Sequence, residues 1–219
     1  MRVQLFAATP DFLRTIWLAA RTCYSALSPL ELSETEPARE EQLRIAGRII
    51  QSKHLSVLEH CHLTYGVEGV SRTLLAQYSR HRIGVSLSVQ SQRYVSEGSE
   101  RNGGLFDLVT PPAAADGPAA DIFATAMSQA QAAYDALLAV GLRKEDARFV
   151  LPGAAATNFV TSVNLRSLLD VYHKRVTVPG AQWEIRELLE RMVALLLERE
   201  PWLEPYFVEQ EAGTHGPEV

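Results

Sequence analysis

Apolar positions along this chain repeat with two periods, and the changes of period mark out its elements. Over residues 2–9, Val3, Leu5 and Ala7 alternate with other positions, which predicts a short strand. Pro10-Asp11 then opens a helix to about Tyr24, with Phe12, Leu13, Ile16, Trp17 and Ala20 on one stripe. A polar, acidic loop is expected over residues 25–37, and a helix over 37–52 that turns Leu43, Ala46, Ile49 and Ile50 inward. Ser56 and Glu59 have the spacing of a capping box, which predicts a short helix from Ser56. Cys61, Leu63, Tyr65 and Val67 alternate against His62, Thr64 and Gly66, so a half-buried strand follows. Ser71 is placed to cap a helix that carries Leu74, Leu75 and Tyr78 toward Arg80.

Residues 97–118 are rich in Gly and Pro and predict a long loop, of the kind that often covers a site. A helix over 119–140 is expected to turn Ile122, Phe123, Met127, Ala130, Tyr134, Leu137 and Leu138 inward and to end at Gly141. A short helix with Ala147 and Arg148 ends at Leu151-Pro152; a strand covers 157–163; Asn164 caps a helix to about Lys174. The last long helix spans 181–200, with Ile185, Leu188, Leu189, Met192, Leu195 and Leu196 inward, and the tail after Phe207 is expected to fray. Strands and helices mix without a βαβ repeat, so the expected class is α+β, with a mixed sheet of few strands and flanking long helices. No internal repeat interrupts residues 1–219, which are expected to form a single domain; the loop near residue 110 is the one candidate break.

Composition narrows this picture. The chain has 219 residues, 47% of them apolar, which excludes disorder. No apolar run approaches the roughly 18 residues of a membrane helix. Arg2, Asp11 and Arg14 argue against a signal peptide, and only two cysteines, Cys23 and Cys61, point to a reduced, cytoplasmic setting without a membrane partner. Of 21 basic residues, 18 are Arg and three are Lys, a bias that GC-rich coding or anion recognition would each produce. The net charge is −5, yet residues 71–93 hold Arg72, Arg80, Arg82, Arg93 and His81 with no acidic residue. A concentrated basic stretch on an acidic chain fits a small anionic ligand better than nucleic acid.

The chain lacks G-x-G-x-x-G, Walker A and H-E-x-x-H signatures. His54, Glu59, His60 and His62 resemble metal ligands only loosely, with no fourth ligand at a recognisable spacing, so no metal site is expected. Cys61 falls on the apolar face of its strand and Cys23 near a helix end, so neither has the surroundings of a nucleophile. The informative stretch runs from Gln77 to Tyr94. It places two Arg and a His at a helix end, then hydroxyls and amides, then Arg93. Guanidinium supplies charge and a bidentate fork for phosphate, while Ser and Gln side chains can bond phosphate oxygens or a base edge.

Arg80-His81-Arg82, Ser86 and Ser91-Gln92-Arg93-Tyr94 resemble the signature of the flavin-dependent thymidylate synthases, in which Arg-His-Arg is followed by Ser-x-Arg. Lys53-His54-x-Ser56-x-x-Glu59-His60 resembles that family's His-x-(Ser/Thr)-x-x-Glu-His segment. Ala147-Arg148-x-x-Leu151-Pro152, Asn164-x-Arg166-Ser167-Leu168 and Ala181-Gln182-Trp183-Glu184-Ile185-Arg186 resemble its later blocks, in the same order. The chain also departs from the usual pattern. Eight residues rather than seven separate Arg82 from Ser91, Ser88-Val89 replace a common Asn-Glu, and five rather than four residues separate Arg175 from Ala181.

The resemblance implies methylation of dUMP to dTMP, with 5,10-methylenetetrahydrofolate as carbon donor, NADPH as reductant and FAD as bound hydride carrier. It also implies a homotetramer with sites formed at subunit interfaces. Carried over by position, Ser56, Arg80, His81, Arg82, Val89, Asn164, Leu165, Arg166 and Asp170 would contact FAD. Gln77, Ser79, Arg80, Val89, Gln90, Ser91, Gln92, Arg93, Arg148 and Arg175 would hold dUMP, and His54 would shape folate or flavin access. Arg175 falls at the position implicated in ionising the uracil, and Ser91 matches a nucleophile in type alone. A flavin-dependent oxidoreductase with another acceptor, or a nucleotide-binding protein of the same fold, is the alternative. Six of the 18 Arg lie in these blocks, whereas Arg14, Arg39, Arg44 and Arg199 lie outside them and fit coding bias.

Overall fold

A computed structural model of the chain describes residues 1–207; the tail expected to fray, residues 208–219, lies outside the described residues. Four strands form one sheet: β1 (Arg2–Ala8), β2 (His62–Ser71), β3 (Val85–Val89) and β4 (Ala156–Asn164), in the order β1-β2-β4-β3. Between β2 and β4, the Arg72 amide bonds Ala155 O and the Leu165 amide bonds Cys61 O. Between β4 and β3, Gln90 pairs with Asn158 and Asn164 with Gly84. Residue numbers rise on one strand as they fall on its neighbour, so the class is α+β and the sheet is antiparallel, with no parallel pair of the sort a mixed sheet contains. Among the described residues no helix is long and apolar enough to cross a membrane.

The chain divides into two compact units. The first comprises residues 1–2, 66–80 and 87–160; the second comprises 3–65, 81–86 and 161 onward. The Gly/Pro loop near residue 110 lies inside the first unit.

In the second unit, α1 (Phe12–Thr22) begins where the Asp11 carboxylate accepts the Arg14 amide, and it buries the predicted stripe from Phe12 to Ala20. The stretch expected as loop holds a short helix, α2 (Pro29–Ser33). Ser28 and Glu31 form a reciprocal capping box around Pro29, and burial of Leu32 anchors the turn. Next come α3 (Arg39–Gln51) and a 3₁₀ turn, Leu55–His60, in place of the helix expected from Ser56. The Ser56–Glu59 box does not form, because the Glu59 carboxylate takes a charged partner, Arg166, instead of a backbone amide. Cys61, Leu63 and Tyr65 are fully buried. The Tyr65 hydroxyl donates to Met192 O on the long C-terminal helix.

In the first unit, α4 (Arg72–Tyr78) is capped by Ser71 as its sequence predicts. The long helix α5 (Gly117–Ala139) buries Met127, Gln131 and Tyr134. Ile122, expected inward, is 71% exposed. It lies five residues before Met127, well off the stripe that Met127, Gln131 and Tyr134 define at about 100° per residue. The first part of the loop expected as a cover belongs to the core, where Phe106 packs with Met127 and Ala155. Gln131 fixes it: Oε1 accepts the Phe106 amide at 2.6 Å, and Nε2 donates to Glu97 O at 3.0 Å. The short helix α6 (Lys144–Ala147) follows α5. The second unit ends with α7 (Leu165–Tyr172), a π turn over His173–Thr177, α8 (Trp183–Arg199) and α9 (Glu204–Phe207).

Candidate active site

The first unit gathers most of the residues carried over for the nucleotide. Gln77 lies in the last turn of α4, and Ser79 and the exposed Arg80 follow it. β3, which the sequence reading missed, has its signal in plain alternation: Val85, Leu87 and Val89 are half-buried, Ser86 and Ser88 exposed. This strand delivers Val89 and Gln90, and the chain then turns tightly. Ser91 O accepts the amides of Tyr94 and Val95, and Ser91 Oγ accepts the Arg93 amide at 3.2 Å. Gln92 is buried and donates to Glu97 Oε1 at 3.5 Å. Burial raises the Glu97 carboxyl above the usual carboxylate range, against the pull of Gln92 and Arg72.

No carboxylate within residues 71–93 offsets the arginines, but the fold brings one from a distance. Glu145, on α6, takes Arg93 Nε on its carboxylate at 3.0 Å and Arg148 Nε on its carbonyl at 3.1 Å. One residue thus draws together two arginines assigned to the nucleotide. The Arg93–Glu145 pair is half exposed, so it is a weak bond that an incoming phosphate can replace. Among the described residues the guanidiniums of Arg80 and Arg82 meet no carboxylate.

The second unit holds His54, Ser56, His81, Arg82, Asn164, Leu165, Arg166, Asp170 and Arg175. Its organising point is Gly84, whose φ of 65° is left-handed. The Gly84 carbonyl accepts the Asn164 amide at 3.1 Å. Asn164 is buried and caps α7, its Oδ1 accepting the Ser167 amide at 2.8 Å. Leu165 turns its side chain into the core, fully buried. One face of α7 presents Arg166, paired with Glu59, and one turn later Asp170, paired with Lys174 at 2.8 Å. Ser56 and His54 are exposed, and His54 stands at the start of the 3₁₀ turn.

Arg175 projects from the middle of the π turn, a local widening common at functional sites. Its Nε donates to His81 Nε2 at 3.0 Å. Accepting there requires His81 to be neutral, with its proton on Nδ1. Among the described residues no carboxylate pairs with Arg175, and its two terminal nitrogens are open to another acceptor. Among the described residues no three of His, Cys, Asp and Glu gather to hold a metal ion. Cys61 is buried, and that burial pushes its thiol up to about 12, with Glu200 and Asp11 adding to the rise.

A family profile, thymidylate synthase complementing protein, matches residues 4–202. The flavin-dependent thymidylate synthase of Geobacter sulfurreducens is 39% identical over 196 residues, covering 90% of this chain and 82% of that protein. The one from Nitratidesulfovibrio vulgaris is 41% identical over 216 residues, covering 92% and 84%. Among solved structures, thymidylate synthase X from Helicobacter pylori with FAD and dUMP superposes with a TM-score of 0.73 at 25% identity, over 95% of this chain and all of that one. The UMP/dUMP methylase PolB of Streptomyces cacaoi shares the fold, with a TM-score of 0.79 at 20% identity over 94% of each chain. The matched span contains every site residue described above, and the chain belongs to the thymidylate synthase complementing protein family, that of the flavin-dependent thymidylate synthases.

Proposed function

We infer that the chain methylates dUMP to dTMP, with 5,10-methylenetetrahydrofolate as carbon donor and NADPH as reductant. The observation that carries this reading is the meeting of Arg93 and Arg148 at Glu145, with Arg93 held in the turn that Ser91 organises, in a chain whose relatives carry that activity in their names. The donor set in the second unit suits FAD. Arg82 meets no carboxylate among the described residues, Arg166 holds a half-exposed pair, and Ser56 offers an exposed hydroxyl, groups that can donate to a pyrophosphate and a polyol chain. FAD, when bound, carries hydride from NADPH. Asn164, capping α7, orients Arg166 and Asp170 toward that role, and Leu165 contributes packing beneath them.

Uracil C5 is a weak nucleophile, and a protein that activated it through C6 would need a thiolate. Cys61, buried with its thiol near 12, is unsuited to that. Arg175 instead stabilises negative charge on the pyrimidine, with His81 holding its Nε. Ser91 acts as a phosphate ligand: its hydroxyl accepts the Arg93 amide, and among the described residues no His, Asp or Glu bonds it as a base. Gln77, Ser79, Arg80, Val89 and Gln90 complete the nucleotide surface, and His54 shapes access for the folate.

Residues 1–219 work as one functional domain in a cytoplasmic homotetramer whose sites close between subunits. Three large apolar side chains support the contact between subunits. Ile83 (87% exposed), Tyr94 (75%) and Phe149 (83%) each directly follow a site arginine, where a second copy would cover them. The decisive experiment is anaerobic flavin reoxidation. The purified protein should be yellow, bleach with NADPH, and recover colour with methylenetetrahydrofolate only when dUMP is present, releasing dTMP. Recovery that ignores dUMP would assign the chain to another oxidoreductase reaction; a colourless protein that binds dUMP would make it a nucleotide-binding protein.

A further inference from the structure

Gln90, where β3 gives way to the Ser91–Arg93 turn, is held from several directions within the first unit. Arg72 Nη2 donates to the Gln90 carbonyl at 3.0 Å. The Gln90 amide donates to Asn158 O at 2.9 Å, and Gln90 Oε1 accepts from Asn158 Nδ2 at 2.7 Å. The orientation of the Asn158 amide follows from an unambiguous donor: the Gly69 backbone N–H reaches Asn158 Oδ1 at 2.9 Å, which leaves Nδ2 for Gln90. Arg72 is itself fixed, because its amide bonds Ala155 O at 3.0 Å and Ser71 caps the helix it begins.

Neither Arg72 nor Asn158 falls in a block that carries the family resemblance. Arg72 is an expensive choice for a merely structural position. The Arg72 Nε is enclosed with no partner among the described residues, and burial lowers the affinity of its guanidinium for its proton, with Glu97 opposing and Arg148 reinforcing that effect. An apolar residue would pack here without an enclosed, unpaired N–H. What the guanidinium adds is a charge-assisted bond to one carbonyl, at the residue from which the nucleotide-binding turn departs.

We propose that Arg72 and Asn158 are positioning residues for nucleotide binding: they clamp Gln90 so that Ser91, Gln92 and Arg93 are already in the turn that meets the dUMP phosphate. The proposal rests on the function inferred above. A turn ordered in advance does not lose conformational freedom when the ligand arrives, so the clamp acts on affinity rather than on the chemical step. It also fixes the far end of the stretch between Arg82 and Ser91, whose length departs from the usual pattern.

The test uses FAD-loaded wild type, Arg72→Leu, Arg72→Lys and Asn158→Ala, with dUMP affinity measured calorimetrically beside KM, kcat and FAD content. Arg72→Leu and Asn158→Ala should each weaken dUMP binding and raise KM for dUMP about tenfold. Their kcat should stay within about twofold, with FAD content unchanged. Arg72→Lys, which can still donate to the carbonyl, should recover much of the lost affinity. Should Arg72→Leu fail to fold, Asn158→Ala tests the same clamp from its other arm. Affinity for dUMP unchanged in the folded variants, or a loss confined to thermal stability or kcat, overturns the clamp alone. A wild-type protein that does not bind dUMP overturns the inferred function and the clamp with it.

Discussion

Gly84→Ala tests whether the segment after Arg-His-Arg is locked onto the cap of α7. A Cβ at Gly84 would lie 2.3 Å from Asn164 Nδ2 and 2.3 Å from Ser167 Oγ, and its backbone would keep a φ of 65°. Three costs follow. The left-handed conformation costs an L-residue about 1 kcal/mol. Displacing Asn164 from the Ser167 amide loses a helix cap, about 1 kcal/mol. Forcing a methyl group between two buried side chains costs about 1–3 kcal/mol more. The stiffer unfolded chain returns about 0.5 kcal/mol. The net destabilisation is about 3 kcal/mol, or a fall in Tm of about 6–12 °C for a chain of this length. Thermal unfolding at fixed protein concentration measures it, with flavin absorbance recording FAD occupancy. A double-mutant cycle sharpens the test, since Gly84→Ala should cost distinctly less in an Asn164→Ala background, where the first collision is gone. A variant that melts within a degree of wild type and keeps its FAD would refute the argument.

Arg175→Ala should keep FAD and lose most turnover, measured as dTMP formed per flavin; retained wild-type activity would remove Arg175 from the chemistry. Arg93→Lys should weaken dUMP binding about tenfold, because a point charge replaces the planar fork, and an unchanged dissociation constant would count against Arg93 as a phosphate ligand. The native protein should offer one thiol, the exposed Cys23, to a disulfide reagent near neutral pH, and two after denaturation. Because the Cys61 thiol is raised to about 12 in the fold and titrates near 8.5 when unfolded, the unfolded chain releases that proton first. Stability should be intact below about pH 8.5 and decline as pH rises toward 12. A decline equally present in Cys61→Ala would belong to other groups.

Elements with a strong apolar stripe were legible in the sequence. The α1 and α8 stripes and the β2 alternation needed only local periodicity, and their caps, Asp11 and Gln182, stand just outside the first helical residue. The failures share a different cause. β3 alternates as cleanly as β2, but its hydroxyls sit inside a motif that reads as ligand chemistry, which masks the strand period. Ile122 is apolar and helical, and only its angle relative to Met127 reveals that it faces outward. Ser56 and Glu59 have capping-box spacing, but that pattern cannot register an arginine more than a hundred residues away competing for the same carboxylate. The contacts of Glu145, Asn158 and Arg72 were invisible for the same reason. Their partners lie 52, 68 and 18 residues distant, beyond any local period.

The excess of Arg over Lys now divides on structural grounds rather than by sequence block. Arg93, Arg148 and Arg175 use the guanidinium as a directed donor at the site. Arg14 lies outside every block and fits coding bias by position, yet its Nη2 bonds both Leu32 O and Ser33 O, and its plane lies 5.0 Å from the Trp17 ring centre. Ser33 O is among the last carbonyls of α2, which have no partner within the helix, and Leu32 O also accepts the Thr35 amide and hydroxyl. A Lys at position 14 could hold one of the two carbonyls but could not also stack on Trp17 as a flat cation. Arg199 likewise reaches Pro10 O, tying the end of α8 to the residue before the α1 cap. Coding bias therefore accounts for the supply of arginine but not for its placement. The net charge of −5 describes neither group, because each acts through the direction of its N–H bonds over a few ångströms.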